Sequence, residues 1–168
     1  MFGNIKAIIQ ILFICWLPPL LAADKLPITS NQPIEIESDV VLYEQNSGKI
    51  TYRGKVIVIN GQQTLYADTV IVKRTTNQAI ESIQAFGTPA HFTSLTKDEI
   101  TPINAYAAQM DYEPNRSLLV LTGKAKIVHQ QDIFEGPVLK YKIDQQKIEA
   151  MHAQNERPKM IITPPNKS

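Results

Sequence analysis

Three histidines, and two aspartates at matching positions of a repeated pattern, are the first candidates in this sequence for metal binding or catalysis. His91, His129 and His152 are far apart in the chain, and none lies in an H-x-x-H or H-E-x-x-H pattern. Metal sites that can be recognised from a sequence have their ligands at short, regular spacing or in a close His/Asp/Glu cluster. Scattered histidines are therefore better explained as surface or packing residues, and the sequence predicts neither a metal site nor a bound cofactor.

Two aspartates occupy matching positions in a repeated pattern, which suggests a carboxylate pair. They are Asp39 and Asp68, but the matching residues in the other two repeats are Ala108 and Pro137. This favours a turn-stabilising role over acid–base catalysis. The sequence contains no G-x-S-x-G motif and no glycine-rich phosphate loop. We therefore predict that the protein is not an enzyme; an exported β-solenoid enzyme acting on polysaccharide is the alternative, and it would need a repeated carboxylate cluster.

Basic residues alternate with apolar ones in two stretches, Lys124-Ala125-Lys126-Ile127 and Lys140-Tyr141-Lys142-Ile143. The common explanation is the solvated face of a strand. A cationic rim that meets anionic lipid head groups is the second explanation. The formal net charge of +1 provides no strong field for nucleic acid, so no nucleic-acid partner is predicted.

Residues 1–23 have the layout of a secretory signal peptide. Lys6 precedes an apolar run at residues 7–21, and the small residues Ala22 and Ala23 follow. We expect cleavage after Ala22 or Ala23, with an uncleaved signal anchor as the alternative. Cys15 lies inside the apolar run, so the exported part of the chain contains no cysteine and must fold without disulfides.

The rest of the sequence is organised as one β-rich domain. Residues 24–32 are a polar lead-in, residues 33–163 form the domain, and residues 164–168 are a C-terminal tail. Short β-branched and aromatic runs alternate with turn residues throughout the domain. No window has apolar residues at helical spacing, so very little helix is expected. The last predicted strand covers residues 159–163.

Four segments of the domain repeat one pattern, with a small residue third and apolar residues sixth and eighth. They begin at Ile36, Leu65, Ala105 and Phe134. In each segment the apolar residues change parity halfway, as between Ile36 and Val41. Because side chains alternate along a strand, a change of parity requires a bulge or a corner. The repeats therefore predict an all-β, antiparallel sheet folded over on itself, either a two-sheet β-jellyroll or a flattened β-solenoid, with an apolar interior.

Six segments of the chain follow a recognisable order and spacing: QPIEIESD (32–39), YRGKVIV (52–58), ADTV (67–70), FGTPAHF (86–92), AQMDYE (108–113) and LTGKA (121–125). In that order they resemble the OstA-like family of periplasmic lipopolysaccharide-transport bridge proteins of Gram-negative bacteria. The resemblance extends over essentially the whole chain after the signal peptide. It implies an OstA-like antiparallel β-jellyroll, a periplasmic location and a role in outer-membrane biogenesis.

The resemblance also implies a binding site. The apolar interior would hold the acyl chains of lipid A, the membrane anchor of lipopolysaccharide. Carried over position by position, the lipid-contacting residues would be Ile34, Ile36, Phe92 and Tyr112. The apolar contact that follows this tyrosine in the family is replaced here by Pro114.

Partners follow from the same resemblance. The protein would assemble with itself head to tail, and unpaired edges of the terminal strands, at residues 33–43 and 159–163, would invite strand addition. An anchored jellyroll component of the inner membrane would bind the N-terminal edge, and the outer-membrane barrel translocon would bind the C-terminal edge. The alternative function is the membrane-anchored inner-membrane component of the same system, which would retain residues 1–23.

Overall fold

The computed structural model of the protein describes residues 33–95, 102–153 and 156–164; the predicted signal peptide and lead-in lie outside them. The described residues form ten β-strands and two 3₁₀ turns, and no helix among them is long and apolar enough to cross a membrane. The strands are β1 (Glu35–Glu37), β2 (Val40–Glu44), β3 (Lys49–Asn60), β4 (Gln63–Arg74), β5 (Ile80–Ser94), β6 (Ile103–Glu113), β7 (Leu118–His129), β8 (Asp132–Lys142), β9 (Lys147–Met151) and β10 (Lys159–Ile161). The 3₁₀ turns are Pro114–Arg116 and Ile143–Gln145. The prediction of an all-β protein with very little helix is confirmed.

The strands form one antiparallel sheet in which β3 to β8 pair in sequence order. β1 and β2 both pair with β3, at different places along its length, and β9 and β10 both pair with β8. The sheet thus has an N-terminal edge made of β1 and β2 and a C-terminal edge made of β9 and β10. The strand predicted at residues 33–43 is in fact two strands, because Ser38 and Asp39 separate β1 from β2.

A line of register shifts crosses the sheet through the middle of its long strands. The shifts lie between Arg53 and Val56, Tyr66 and Thr69, Phe86 and Ala90, Tyr106 and Gln109, and Thr122 and Ala125. The same line separates β1 from β2 and β10 from β9. It divides the sheet into two layers. Layer 1 consists of β1, residues 56–60, 63–67, 90–94, 103–107, 125–129 and 132–136, and β10. Layer 2 consists of β2, residues 49–53, 69–74, 80–86, 109–113, 118–122 and 138–142, and β9. The folded-over sheet predicted from the change of parity is confirmed.

Small residues occupy this fold line. Ala67, Ala107 and Gly136 are buried there. Gly54 has φ +81°, and a Cβ at this position would overlap the carboxylate of Asp39. The Asp39 amide donates a hydrogen bond to the Gly54 carbonyl oxygen (3.0 Å). A side chain larger than hydrogen at residue 54 is thus opposed both by the backbone conformation and by its neighbour.

The core lies between the two layers and consists of continuous rows of apolar register partners. One row crosses layer 1: Ile36, Val58, Leu65, Phe92, Ala105, Ile127, Phe134 and Met160. Another crosses layer 2: Tyr43, Ile50, Val72, Ile83, Tyr112, Leu119, Tyr141 and Ile148. Directly opposite side chains in an antiparallel ladder lie about 5 Å apart on the same face. Each row is therefore an unbroken apolar strip that runs from one edge of the sheet to the other.

Equivalent two-residue turns join β3 to β4 and β7 to β8, and they suggest a stability test. Gly61 has φ +60° in the first turn and Gln130 has φ +55° in the second. Residues with a Cβ are disfavoured in this left-handed region by roughly 1–2 kcal/mol, whereas glycine is not. Because glycine also makes the unfolded chain more flexible, we expect Gln130→Gly to raise the free energy of unfolding by only about 0.5–1 kcal/mol. Urea denaturation measures the change; the reciprocal Gly61→Gln should lower stability, and a destabilised Gln130→Gly variant would contradict the argument.

Candidate functional site

An apolar cleft that opens to solvent at its mouth lies between the two layers. Layer 1 contributes Val58, Asn60, Gln63, Thr64, Leu65 and Phe92; layer 2 contributes Ile83, Ala85, Met110, Tyr112 and Leu119; Ile34 and Ile143 complete the lining. The polar residues among these are grouped beside the turn between β3 and β4, and the rest of the lining is almost entirely carbon. A concave apolar surface with a few polar groups at one end suits an elongated hydrocarbon ligand with a polar head.

The walls of the cleft come from strand register. Val58, Leu65 and Phe92 are consecutive partners in layer 1. Ile83, Tyr112 and Leu119 are consecutive partners in layer 2. Each wall is thus three adjacent strands wide, and its side chains are held by backbone ladders; Ile34, just before β1, and Ile143, in the second 3₁₀ turn, lie outside the ladders. A site built on strands in this way is already formed before any ligand binds.

Three of the four predicted lipid-contacting residues line this cleft: Ile34, Phe92 and Tyr112. Ile36 is not part of the lining, but it pairs with Val58 and packs against the core from the same face of layer 1. The structure therefore brings all four side chains to the interior between the layers. Their contact with lipid remains a prediction.

The thirteen described residues that line the cleft include no ionised side chain. Burial raises the pKa of the Tyr112 hydroxyl above its ordinary value. Since that ordinary value is about 10, the hydroxyl stays protonated and neutral at physiological pH. The lining therefore offers hydrocarbon contacts and neutral hydrogen-bonding groups, which is the chemistry that an acyl chain needs.

Sequence reasoning missed several lining residues, among them Leu65, Met110 and Leu119. For Leu65 and Met110 the signal was present, because they are the first and sixth residues of their repeated segments, whereas Leu119 lies between two segments; an apolar pattern cannot tell a residue that lines a cleft from one packed in the core. It also missed the polar end of the cleft at Asn60 and Gln63. These residues flank the turn at Gly61 and Gln62, and only the register shows that they lie on the inner face.

The alternating lysines lie away from the cleft. The two lysine-containing stretches contribute four lysines. Three of them alternate with inward-facing residues and therefore face outward: Lys126, Lys140 and Lys142. The fourth, Lys124, is exposed at the fold line. Lys126 Nζ lies 3.4 Å from Glu135 Oε1, and Lys142 Nζ lies 3.7 Å from Glu149 Oε1. The hydrogen bond from Lys147, together with the charges of nearby lysines, lowers the pKa of Glu149. The register supports a solvated strand face rather than a rim around the cleft.

The acidic and histidine side chains considered for catalysis also lie outside the cleft. Asp68 is at the fold line, where its carboxylate accepts a hydrogen bond from the Thr88 hydroxyl (3.4 Å). His91 is on the outer face of layer 1, stacked between Tyr66 and Tyr106 with ring centroids 5.8 and 4.5 Å apart. In the ranges that the structure describes, no group of three or more His, Cys, Asp or Glu side chains is placed to hold a metal ion.

Both edges of the sheet expose large apolar side chains. In β2 four consecutive residues, Val40, Val41, Leu42 and Tyr43, are each more than half exposed. Near the C-terminal edge Met160, Ile161 and Ile162 are also exposed. Consecutive residues of a strand point to opposite faces, so each edge is apolar on both faces. Proteins normally protect edge strands with charges or bulges, so these edges are suited to pairing with another chain.

Comparison with known proteins gives one consistent result. The family model described as LptA/(LptD N-terminal domain) LPS transport protein matches residues 35–147. The lipopolysaccharide export system protein LptA of Escherichia coli K12 is 32% identical over 136 residues, which is 80% of this chain and 73% of that protein. The lipopolysaccharide export system protein LptH of Pseudomonas aeruginosa is 29% identical over 150 residues, covering 85% of this chain and 86% of that protein.

A solved structure supports the same assignment. The crystal structure of LptH from Pseudomonas aeruginosa, described as the LptA-homologous periplasmic component of the lipopolysaccharide transport device, superimposes with a TM-score of 0.76 at 27% identity. It covers 82% of this chain and all of that chain. The resemblance recognised in the sequence is confirmed: the chain belongs to the LptA/LptD N-terminal domain family of lipopolysaccharide transport proteins.

Proposed function

We propose that this protein is a periplasmic lipopolysaccharide carrier that shields the acyl chains of lipid A in the cleft between its two layers. The observation that carries the proposal is the pair of facing apolar walls, Val58–Leu65–Phe92 and Ile83–Tyr112–Leu119. They leave an open space that no ionised side chain lines within the described part of the chain. The names of the relatives, which refer to lipopolysaccharide export and to a periplasmic transport device, support the same ligand and location.

The physical need for such a carrier is simple. Transferring one methylene group from water into an apolar site lowers the free energy by about 0.8 kcal/mol. A lipid with several acyl chains therefore cannot cross an aqueous compartment unshielded at a useful rate. A groove that is apolar inside and open along one side covers the chains and leaves the polar head in solvent. Nothing in this role requires a catalytic group.

We further propose that copies of the protein stack head to tail through their edges. Each edge has one strand in each layer: β1 and β2 at the N-terminal edge, β10 and β9 at the C-terminal edge. Strand direction alternates across the sheet, so β10 of one copy would lie antiparallel to β1 of the next, and β9 antiparallel to β2. Both layers, and both apolar rows, would then continue from copy to copy.

The same two edges are proposed to bind the transport components of the inner and outer membranes. An anchored inner-membrane component with a jellyroll of the same kind would pair with the N-terminal edge. The outer-membrane barrel translocon would pair with the C-terminal edge. The exposed apolar residues of β2 and of residues 160–162 would be covered in these contacts.

Site-specific photo-crosslinking tests the cleft. A photoreactive amino acid is placed at Phe92 or Ile36, whose side chains face the interior, in cells that depend on this protein for growth. The matched controls are the neighbouring positions Thr93 and Glu37, which face outward on the same strands. We expect lipopolysaccharide adducts at Phe92 and Ile36 and only background at the controls. Absence of an adduct at both interior positions would overturn the proposed site.

A further inference from the structure

A buried oxygen without a partner lies at the polar end of the cleft. Asn60 is the last residue of β3, and its side-chain Oδ1 is shielded from solvent, yet no group of the described residues donates a hydrogen bond to it. Buried side-chain acceptors in folded proteins nearly always have a donor. A buried acceptor without a donor destabilises the folded protein, because its oxygen has lost hydrogen bonds to water and has no other hydrogen bond to replace them. Such an atom therefore points to a function, such as binding a ligand that supplies the donor.

Strand register places this oxygen inside the cleft. Val56, Val58 and Asn60 alternate along β3, and the first two are buried on its inner face, so Asn60 faces inward too. Its register partner Gln63 lines the same end of the cleft. Asn60 lies two residues beyond Val58, which is about 7 Å along the strand. A hydrocarbon chain against the Val58–Leu65–Phe92 wall would therefore bring the atoms near its polar head to Asn60.

The surroundings decide which chemistry fits. The free atom is a neutral acceptor, so it requires an O–H or N–H donor and provides nothing to a bare ester or to an unsubstituted chain. Among the residues that the structure describes, no ionised side chain lines the cleft to attract a charged head group. The missing partner is thus a neutral donor that belongs to the ligand and lies next to its apolar part.

We propose that Asn60 is a specificity residue of the cleft: its Oδ1 accepts a hydrogen bond from a hydroxyl or amide N–H group close to the head of an acyl chain. The cleft then prefers hydroxyacyl or amide-linked chains to unsubstituted or ester-linked chains of equal length. This inference rests on the proposed function, since it assumes that acyl chains occupy the cleft.

Two matched pairs of small probes test the preference and separate its two sources. 3-Hydroxytetradecanoic acid is compared with tetradecanoic acid, and N-methyltetradecanamide with methyl tetradecanoate. Dissociation constants are measured by calorimetry or by displacement of a fluorescent fatty acid from the purified protein. For a neutral hydrogen bond we expect the donor-bearing member of at least one pair to bind roughly 3- to 10-fold more tightly. The pair that shows the preference identifies the donor as hydroxyl or amide.

Three variants connect the preference to Asn60. Asn60→Leu keeps the size of the side chain but removes the acceptor, so the preference should disappear while the probes without a donor bind at least as well as before. Asn60→Asp retains an acceptor at the same place, so whichever preference the wild-type protein shows should persist. Gln62→Leu makes the same kind of change at an exposed position of the same turn and should leave the preference unaltered.

The outcomes separate this inference from the function on which it rests. If none of the four probes binds, the acyl-chain cleft itself fails. If all bind but the wild-type protein does not distinguish the members of either pair, the cleft stands and the role of Asn60 is wrong. A preference that survives in Asn60→Leu would also overturn the assignment, because the donor would then have another partner.

Discussion

Replacing Leu121 with alanine should lower the free energy of unfolding by about 3 kcal/mol, within the range of roughly 2–5 kcal/mol for emptying a fully buried leucine site. Leu121 is fully buried in layer 2, where its register partners are Met110 on β6 and Leu139 on β8. Both neighbours are held by backbone ladders on each side, so they cannot move far into the space that the leucine leaves. The cavity should therefore persist and make the loss large.

The neighbouring residue provides the control for this measurement. Val120 lies next to Leu121 on β7, but it faces outward and is only half-buried, so Val120→Ala should cost less than about 1 kcal/mol. Urea denaturation followed by far-ultraviolet circular dichroism is suitable, because the chain's single tryptophan, Trp16, precedes the domain. Equal losses in the two variants would mean that layer 2 does not face the core as described.

The fold could be predicted because its main feature, the sheet folded over on itself, appears in the sequence as a change in the alternation of apolar residues. Ile36 and Val41 cannot share a face of one straight strand, and the structure places a break between them, at Ser38 and Asp39. Apolar parity reports which face is buried wherever one face is solvated. The sequence did not predict that this break is complete enough to make two strands, because that depends on how β3 pairs with each of them.

The cleft was less predictable than the fold. Phe92 and Tyr112 were named, and both line it, but Leu65 and Leu119 occupy equally good positions and were not. Whether an inward residue touches the opposite layer or borders an open space depends on the separation of the layers. That separation is set by many side chains from strands distant in sequence. The unpartnered oxygen of Asn60 has the same origin, since a residue at the end of a strand, beside a turn, becomes buried only when both layers are assembled.

Substitutions at the edges of the sheet are expected to change assembly of the protein rather than its stability. Val41 and Tyr43 face the interior from β2, yet each is more than half exposed, because no strand lies beyond them. In the proposed stack, the next copy would cover them and continue their rows through Ala150 and Ile148 of β9. A glutamate at either position would stay solvated in the monomer but would lose its water without a partner charge at the junction.

We therefore expect the double variant Val41→Glu/Tyr43→Glu to remain folded and to lose linear assembly. Burying uncompensated charge costs about 3–5 kcal/mol, which weakens association roughly 100-fold or more. Sedimentation velocity over a range of concentrations measures this directly. The control adds the same two charges at exposed positions of the turn between β4 and β5, Thr76→Glu/Asn77→Glu, and should assemble like the wild type. Stacking itself would be contradicted if the wild-type protein were strictly monomeric at high concentration or formed closed dimers. If instead the double variant assembled like the wild type, the contact between copies would not involve β2.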